Sequence, residues 1–302
     1  MTLVDYYLRI LHFGRNPALD FGLGPWHVHL HGRPVFLMWV TVAILALGGV
    51  AVLASRKREL IDKWASWMVI APVFGIPIWM GRGPTAVVAA AVAVVAVIEY
   101  ARLVSLRRWD VGLLLVLAVG YPLGAWLRPS LLELAPILVL ACALPSVLGG
   151  DVERGVRRSL FTGFGSVWIC WSLAHLVTLG ADAFLVCLAV AVTDVAAWCG
   201  GKGLRRFGWA RHPLSRLSPN KTYGGLFGAF VGAFLVLTLL GSISVGLLIA
   251  VAFGGLVGDL LESMVKRDAQ VKDAGTWLPG FGGLLDRIDS LLVVLPLAQV
   301  LR

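Results

Sequence analysis

Charged residues are scarce in this chain. Only 14% of its 302 residues are Asp, Glu, Lys or Arg, whereas 59% are hydrophobic, and the mean hydropathy is +0.86. Soluble globular proteins carry about 25% charged residues, so this composition excludes a water-soluble enzyme. Most of the chain must lie in a lipid bilayer.

Paired cysteines and a continuous apolar leader are also lacking. The four cysteines lie in or at the ends of apolar segments and form no CxxC motif, so we expect them to act as small apolar residues. Residues 1–35 mix charges with aromatic side chains, and we expect no cleavable signal peptide there. This segment is predicted to lie on the membrane surface, with Leu3, Tyr7, Ile10 and Leu11 roughly on one face.

Apolar runs of about 17 residues or more, each long enough to span a bilayer as a helix, occur repeatedly along the chain. They predict an all-α polytopic membrane protein with about ten transmembrane helices. The predicted spans are 36–54, 64–80, 85–104, 111–127, 131–148, 160–180, 183–199, 224–240, 244–262 and 283–301. We divide the chain into an N-terminal interfacial segment (1–35), an N-terminal transmembrane half (36–159) and a C-terminal catalytic transmembrane half (160–302).

The basic residues indicate how these helices are oriented. The formal charge is +9, and most of the 26 Lys and Arg fall in alternate connections between apolar runs. By the positive-inside rule those connections face the cytoplasm. This placement argues against nucleic-acid binding and favours contact with anionic head groups or phosphorylated substrates. The two longest basic connections, 200–223 and 263–282, are rich in Gly and are predicted to carry the function.

Acidic residues within the predicted helices gather near one end. A carboxylate in hydrocarbon is costly and needs a partner or a purpose. Asp194, Asp259 and Asp286 all lie within a few residues of the predicted cytoplasmic boundary. Asp286 and Asp289 share a helix face at i,i+3, as do Asp259 and Glu262. Carboxylates clustered in this way suit Mg²⁺, which joins carboxylates to substrate phosphates.

Ion pairing is the alternative interpretation of these acids. Lys266 could neutralise Glu262, four residues earlier on the same helix, and either Arg287 or Lys266 could neutralise Asp286. Glu99 has Arg102 three residues later, and we interpret the two as a local pair.

Glycine-rich segments next to lysines predict phosphate binding. The motif PGFGG (279–283) precedes the last helix, where backbone N–H groups and the positive end of the helix dipole can hold an anion. In the other long connection, GGKG (200–203) and LSPNKTYGG (217–225) place Lys202 and Lys221 to meet phosphates or acidic lipid heads. Membrane orientation alone would also explain these two lysines.

Taken as one string, residues 263–290 resemble the C-terminal pattern of the phosphatidate cytidylyltransferases, also called CDP-diacylglycerol synthases. TDVAAWCGGKG (193–203), LSPNKTYGG (217–225) and GDLLES (258–263) are similar to three further blocks of that family, in the same order. The resemblance covers about residues 160–302. Two positions depart from the family pattern: Phe281 stands where most members have His, and Gly224 where most have Glu. The residues that match the pattern are Ser263, Lys266, Arg267, Lys272, Asp273, Pro279, Gly280, Gly282, Gly283, Asp286, Arg287, Asp289 and Ser290.

The resemblance implies an enzyme that transfers CMP from CTP to phosphatidate, or to a related anionic lipid, and releases pyrophosphate. It implies Mg²⁺ as cofactor, with room for a second cation. The implied catalytic residues are Asp259, Asp286, Asp289, Lys266 and Lys272. The implied metal ligands are Asp259, Asp286 and Asp289, with Asp194 as a further candidate. The implied substrate-binding residues are Lys202, Ser218, Lys221, Arg267, Asp273, Gly280, Gly282, Gly283 and Arg287.

The expected location is the bacterial cytoplasmic membrane, with the active site on the cytoplasmic side; a homodimer is left open. Two other functions are kept beside the transferase. The first is a CTP-dependent kinase of a lipid alcohol such as a polyprenol, which would transfer the γ-phosphate. The second is a cation-coupled transporter, which would place its acids near the bilayer midplane. The clustering of acids at one face favours an enzyme over the transporter.

Overall fold

The computed structural model describes residues 18–23, 26–31, 33–55, 58–271 and 283–302. The described chain begins with an antiparallel hairpin of β1 (Ala18–Leu23) and β2 (Trp26–His31), in which Ala18 pairs with His31 and Leu23 with Trp26. The part of the predicted surface segment before residue 18 lies outside the described residues.

Helices make up nearly all of the remaining described chain. Prolines in the first turns of α5 and α6 suit positions where the backbone N–H needs no helical partner, and they divide the segment from 129 to 148 into short pieces. The helices are α1 (Arg33–Ser55), α2 (Arg58–Met80), α3 (Arg82–Leu103), α4 (Arg108–Leu127), a 3₁₀ helix (Pro129–Leu134), α5 (Ala135–Ala141), α6 (Leu144–Leu148), α7 (Gly155–Gly165), a π turn (Ser166–Trp171), α8 (Ser172–Leu179), α9 (Asp182–Gly203), a 3₁₀ turn (Trp209–Arg211), α10 (Tyr223–Leu239), α11 (Val245–Asp268) and α12 (Leu285–Leu301).

Each predicted span coincides with one of these helices or with a broken series of them. Among the described residues, 7 helical segments are long and apolar enough to cross a membrane. Two further apolar stretches, Trp67–Met80 and Tyr223–Leu239, are shorter. The prediction of a helical polytopic membrane protein is therefore confirmed, whereas the number of about ten crossings stays a prediction.

Glycines let α9 and α10 approach closely. Gly224, Gly228 and Gly232 recur every four residues on α10 and meet Ala196 and Gly200 of α9. A Cβ atom at Gly228 would lie 2.4 Å from the carbonyl oxygen of Ala196, so no larger residue fits without movement. Small residues at this spacing are typical of membrane helices in backbone contact.

A second close contact joins α11 to α12. A Cβ atom at Gly258 would lie 2.2 Å from the carbonyl oxygen of Asp289, and one at Gly254 would lie 3.0 Å from the Leu297 side chain. The two helices are antiparallel, because the end of α11 contacts the start of α12. This register brings the acidic faces of the two helices together.

Charged connections meet at one face of the bundle. Arg157, at the start of α7, pairs with Asp268 at the end of α11 at 3.4 Å. At the opposite face, Arg302 pairs with Asp182 at 3.2 Å. A single buried cluster contains apolar residues from both predicted halves of the chain, and the division at residue 160 stays a prediction.

Candidate active site

Two pairs of carboxyl groups face each other across α11 and α12. Glu262 and Asp286 form the first pair, in which both carboxylates accept hydrogen bonds from the same lysine, Lys266. Asp259 and Asp289 form the second pair, in which the two groups interact electrostatically. The i,i+3 spacing on each helix puts the two pairs one turn apart. The sequence prediction that these acidic faces meet is confirmed by the geometry.

Lys266 bridges the first pair. Its Nζ atom donates to Glu262 Oε2 at 2.6 Å and to Asp286 Oδ1 at 2.7 Å. The Lys266 side chain is only 16% exposed, so the cation is held in a partly dehydrated setting where charge interactions are strengthened. The ion pairs weighed as the alternative for Lys266 are both present.

Lys221 occupies the corresponding position at the second pair, where it forms an ion pair with Asp259. The Lys221 side chain is 37% exposed and belongs to the connection between α9 and α10. Burial by itself would lower the pKa of Lys221, but the Asp259 carboxylate, with Asp289 and Asp194 behind it, raises that pKa above its ordinary value. Lys221 therefore carries its positive charge at neutral pH.

Backbone hydrogen bonds hold the connection that carries Lys221. Leu214 N donates to Lys221 O at 2.7 Å, and Lys221 N donates to Ser218 O at 3.1 Å. The next residue, Thr222, caps α10 by accepting a hydrogen bond from Gly225 N at 3.3 Å. The lysine is thus fixed between a tight turn and a helix start.

Asp194 of α9 reaches the same cluster from a third helix. Ser290 Oγ donates to Asp194 Oδ1 at 3.4 Å and lies at the same distance from the Gly255 carbonyl oxygen. Asp194 also interacts electrostatically with Asp259 and Lys221. The predicted convergence of Asp194 with the acids of α11 and α12 is confirmed.

Carboxylates occupy the N-terminus of α12. Gly283 N donates to Asp286 Oδ2 at 2.7 Å, whereas Leu284 N and Leu285 N donate to the two oxygens of Glu99 at 2.9 and 2.8 Å. These N–H groups would otherwise lack helical partners. The amides of Gly283, Leu284 and Leu285 are thus already paired with carboxylates. Phosphate binding by the PGFGG motif stays a prediction, since residues 279–282 lie outside the described part of the chain.

Glu99 is also the residue that sequence reasoning misread. It was interpreted as the partner of Arg102, yet its carboxylate points to the start of α12, 185 residues away in sequence from Leu284. The only signal in the sequence was a carboxylate within an apolar helix; its distant partner could not be identified from helix spacing.

Four other predicted substrate-binding residues contribute less to the cluster. Lys202 Nζ lies 4.0 Å above the centre of the Trp198 ring on its own helix. Ser218 supplies its carbonyl oxygen to the turn before Lys221. Arg267 and Arg287 are exposed at the adjoining ends of α11 and α12. Four more predicted residues lie outside the described part of the chain: Lys272, Asp273, Gly280 and Gly282.

One feature of the carboxyl cluster suits a divalent cation: a buried carboxylate oxygen without a hydrogen-bond partner. Within the described residues, Glu262 Oε1 is buried and has no hydrogen-bond partner, although Lys266 bridges Glu262 Oε2 and Asp286 Oδ1. The same residues contain no group of three His, Cys, Asp or Glu side chains arranged to hold a metal ion. In this arrangement Lys221 and Lys266 form ion pairs with several of the carboxylate oxygens of the cluster.

Comparison with known proteins agrees with these features. The model of the cytidylyltransferase family matches residues 61–302. Uncharacterized protein YnbB of Escherichia coli (strain K12) is 30% identical over 262 residues, which cover 76% of this chain and 83% of that protein. The family match begins about 100 residues before the segment in which the sequence motifs were recognised, and it includes Glu99.

Two further relatives have names that state an activity. Phosphatidate cytidylyltransferase 5, chloroplastic, of Arabidopsis thaliana is 42% identical over 145 residues, 44% of this chain and 35% of that protein. Phosphatidate cytidylyltransferase of Helicobacter pylori (strain J99 / ATCC 700824) is 38% identical over 144 residues, 44% of this chain and 46% of that protein. This chain thus matches less than half the length of either relative. Through the family match and its similarity to YnbB, the chain belongs to the cytidylyltransferase family.

Proposed function

We propose that this protein transfers CMP from CTP to phosphatidate, giving CDP-diacylglycerol and pyrophosphate. The observation that carries the proposal is the meeting of two carboxyl pairs with Lys221 and Lys266 at the junction of α11 and α12, within a chain of the cytidylyltransferase family. The names of the Arabidopsis and Helicobacter relatives supply the lipid substrate.

In the proposed reaction an oxygen of the phosphatidate phosphate attacks the α-phosphorus of CTP. A new P–O bond forms, the bond from the α-phosphorus to the bridging oxygen breaks, and pyrophosphate leaves with that electron pair. Both reactants are polyanions, so the protein acts mainly by positioning them and by neutralising charge. Lys221 and Lys266 would exchange a carboxylate partner for a phosphate oxygen, which leaves the acids free to hold a cation.

Mg²⁺ is the proposed cation, with Asp259, Asp286 and Asp289 as its ligands and Asp194 as a further candidate; a second cation could be held in the same cluster. When bound, such a cation supplies positive charge at the phosphate oxygens. The support is the chemistry of the donors, since carboxylate oxygens that face one another suit Mg²⁺, and the unpaired Glu262 Oε1 among the described residues. Lys272 and Asp273 are proposed to assist from the adjoining connection.

We further propose that all ten helical segments cross a bacterial cytoplasmic membrane and that the carboxyl cluster faces the cytoplasm. The support is the gathering of basic connections at the face that carries the cluster, as the positive-inside rule requires. Cysteine labelling of the connection that holds Lys221, in whole cells and in inverted vesicles, tests this orientation.

The activity is tested with purified protein, phosphatidate, Mg²⁺ and CTP labelled with ³²P in the α position or in the γ position. We expect the α label to enter the lipid and the γ label to leave as pyrophosphate. Entry of the γ label into a lipid alcohol would instead identify the kinase. Asp286→Asn should abolish the α transfer, whereas Asp182→Asn, at the opposite face in contact with Arg302, is the matched control and should retain it.

A further inference from the structure

Glu99 is buried at a junction between the two predicted halves of the chain. It lies in the last turns of α3, and the residue is 1% exposed. Its two carboxylate oxygens accept separate hydrogen bonds from the N–H groups of Leu284 and Leu285. A carboxylate at this position satisfies two unpaired amides and interacts favourably with the positive end of the α12 dipole.

The turn of α3 that carries Glu99 is tightly packed. Its neighbour Tyr100 is completely buried, and the Tyr100 hydroxyl donates to the Phe161 carbonyl oxygen at 2.8 Å. A Cβ atom at Gly165 would lie 2.6 Å from the Tyr100 ring, so α7 packs directly on this turn of α3. The packing of α7 against α3 therefore holds the turn that carries Glu99 in place.

Both carboxylates that α12 contributes to the cluster follow directly after the amides that Glu99 holds. Asp286 is the next residue after Leu285, and Asp289 lies on the same face one turn later. A shift of the first turn of α12 would move Asp286 away from Lys266 and Asp289 away from Asp259.

From these contacts we infer that Glu99 is a positioning residue for the transfer reaction: it fixes the first turn of α12 so that Asp286 and Asp289 face α11. This inference rests on the proposed function. Glu99 lies outside the recognised motifs and acts through the backbone, without contact with the reacting phosphates. It also makes α3 part of the active-site framework, although α3 belongs to the half without recognised motifs.

The test compares Glu99→Ala and Glu99→Gln with Glu133→Gln, an exposed glutamate in the 3₁₀ helix Pro129–Leu134. Hydrogen exchange of the Leu284 and Leu285 amides, measured by mass spectrometry in nanodiscs, should be faster by about tenfold or more in Glu99→Ala, because two charge-assisted hydrogen bonds are lost. Glu99→Gln should give an intermediate value, since its amide offers a single acceptor oxygen. Glu133→Gln should match the parent protein.

Kinetics then separate positioning from a general loss of folding. We expect kcat of Glu99→Ala to fall by about 100-fold, with KM for CTP within about twofold of the parent value, because displaced catalytic acids weaken the transition state more than ground-state binding. Glu99→Gln keeps the shape of the side chain and provides the measurement if the alanine variant fails to fold.

Two results would overturn the inference: unchanged exchange at Leu284 and Leu285 in Glu99→Gln, or faster exchange with unchanged kcat. If the parent protein itself makes no CDP-lipid, the proposed function fails while the exchange measurement still reports on the Glu99 contact. The two failures are therefore distinguishable.

Discussion

The close contact at Gly258 allows a small perturbation with a calculable geometric effect. In Gly258→Ala the added Cβ atom would lie 2.2 Å from the Asp289 carbonyl oxygen and 2.9 Å from the Ser290 Cα atom. Ordinary contact begins at 3.4 Å, and both obstructing groups are backbone, which cannot rotate away. The helices α11 and α12 must therefore separate locally by about 1 Å.

This separation acts on the carboxyl cluster itself. Gly258 precedes Asp259, and the obstructing carbonyl belongs to Asp289, so the pair formed by these two acids is the first to be pulled apart. Overpacking of this kind lowers the free energy of unfolding by about 1–3 kcal/mol. A misplacement of about 1 Å can reduce a catalysed rate about 100-fold, so we expect the variant to fold and to lose most of its activity.

Formation of CDP-lipid from α-labelled CTP is the assay, with size-exclusion chromatography and thermal unfolding in detergent to verify folding. Gly120→Ala is the matched control, because it makes the same chemical change in the helix α4, where a Cβ atom would meet nothing within 4 Å. Gly120→Ala should be fully active and as stable as the parent or slightly more so. Full activity in Gly258→Ala would refute the argument that backbone contact between α11 and α12 sets the geometry of the acids.

Three other predictions follow from single contacts. Lys266→Met should abolish transfer and lower the melting temperature in detergent, because the two carboxylates that Lys266 bridges lose their shared cation; normal activity would contradict this. Asp151→Asn should be less stable than the parent at pH 7, since hydrogen bonds from the Arg154 backbone and Arg158 lower the pKa of Asp151; the difference in melting temperature should begin to shrink as the pH falls below about 4, the ordinary pKa of the unfolded carboxyl group, and should vanish only below the lowered pKa of the folded state. Gly224→Glu, which restores the residue found in most of the resembled family, should lower stability, because a Cβ atom there would lie 3.0 Å from a backbone carbonyl oxygen; an equally stable variant in thermal unfolding would show that the α9–α10 contact can yield.

The departure at Gly224 thus has a structural explanation. Gly224 is buried at the start of α10, between the carbonyl oxygens of Ala210 and Gly200. A glutamate would have to displace backbone from two directions. In this chain the position serves helix packing, and the lysine three residues earlier still reaches Asp259.

Local pattern was sufficient to predict much of the fold and of the candidate site. The length of apolar run that is needed to cross a bilayer depends only on the thickness of the bilayer. Every span predicted by this rule is helical in the structure. The spacing of Asp259 and Glu262, and of Asp286 and Asp289, follows from 3.6 residues per turn. These rules hold without knowledge of any neighbouring helix, which is why they succeeded.

Which groups meet across helices was decided only by the tertiary structure. Pairing of Asp259 with Asp289, and of Glu262 with Asp286, depends on the antiparallel register of α11 and α12, which the glycine contact at Gly258 sets. Glu99 and the first turn of α12 are brought together by the packing of α3, and no spacing rule connects residues so far apart in sequence. The same packing pairs the amides of Leu284 and Leu285 with the carboxylate of Glu99, whereas the glycine-rich motif predicted phosphate binding at this helix N-terminus. Helix periodicity defines which side chains share a face, but only the depth and rotation of each packed helix determine what that face touches.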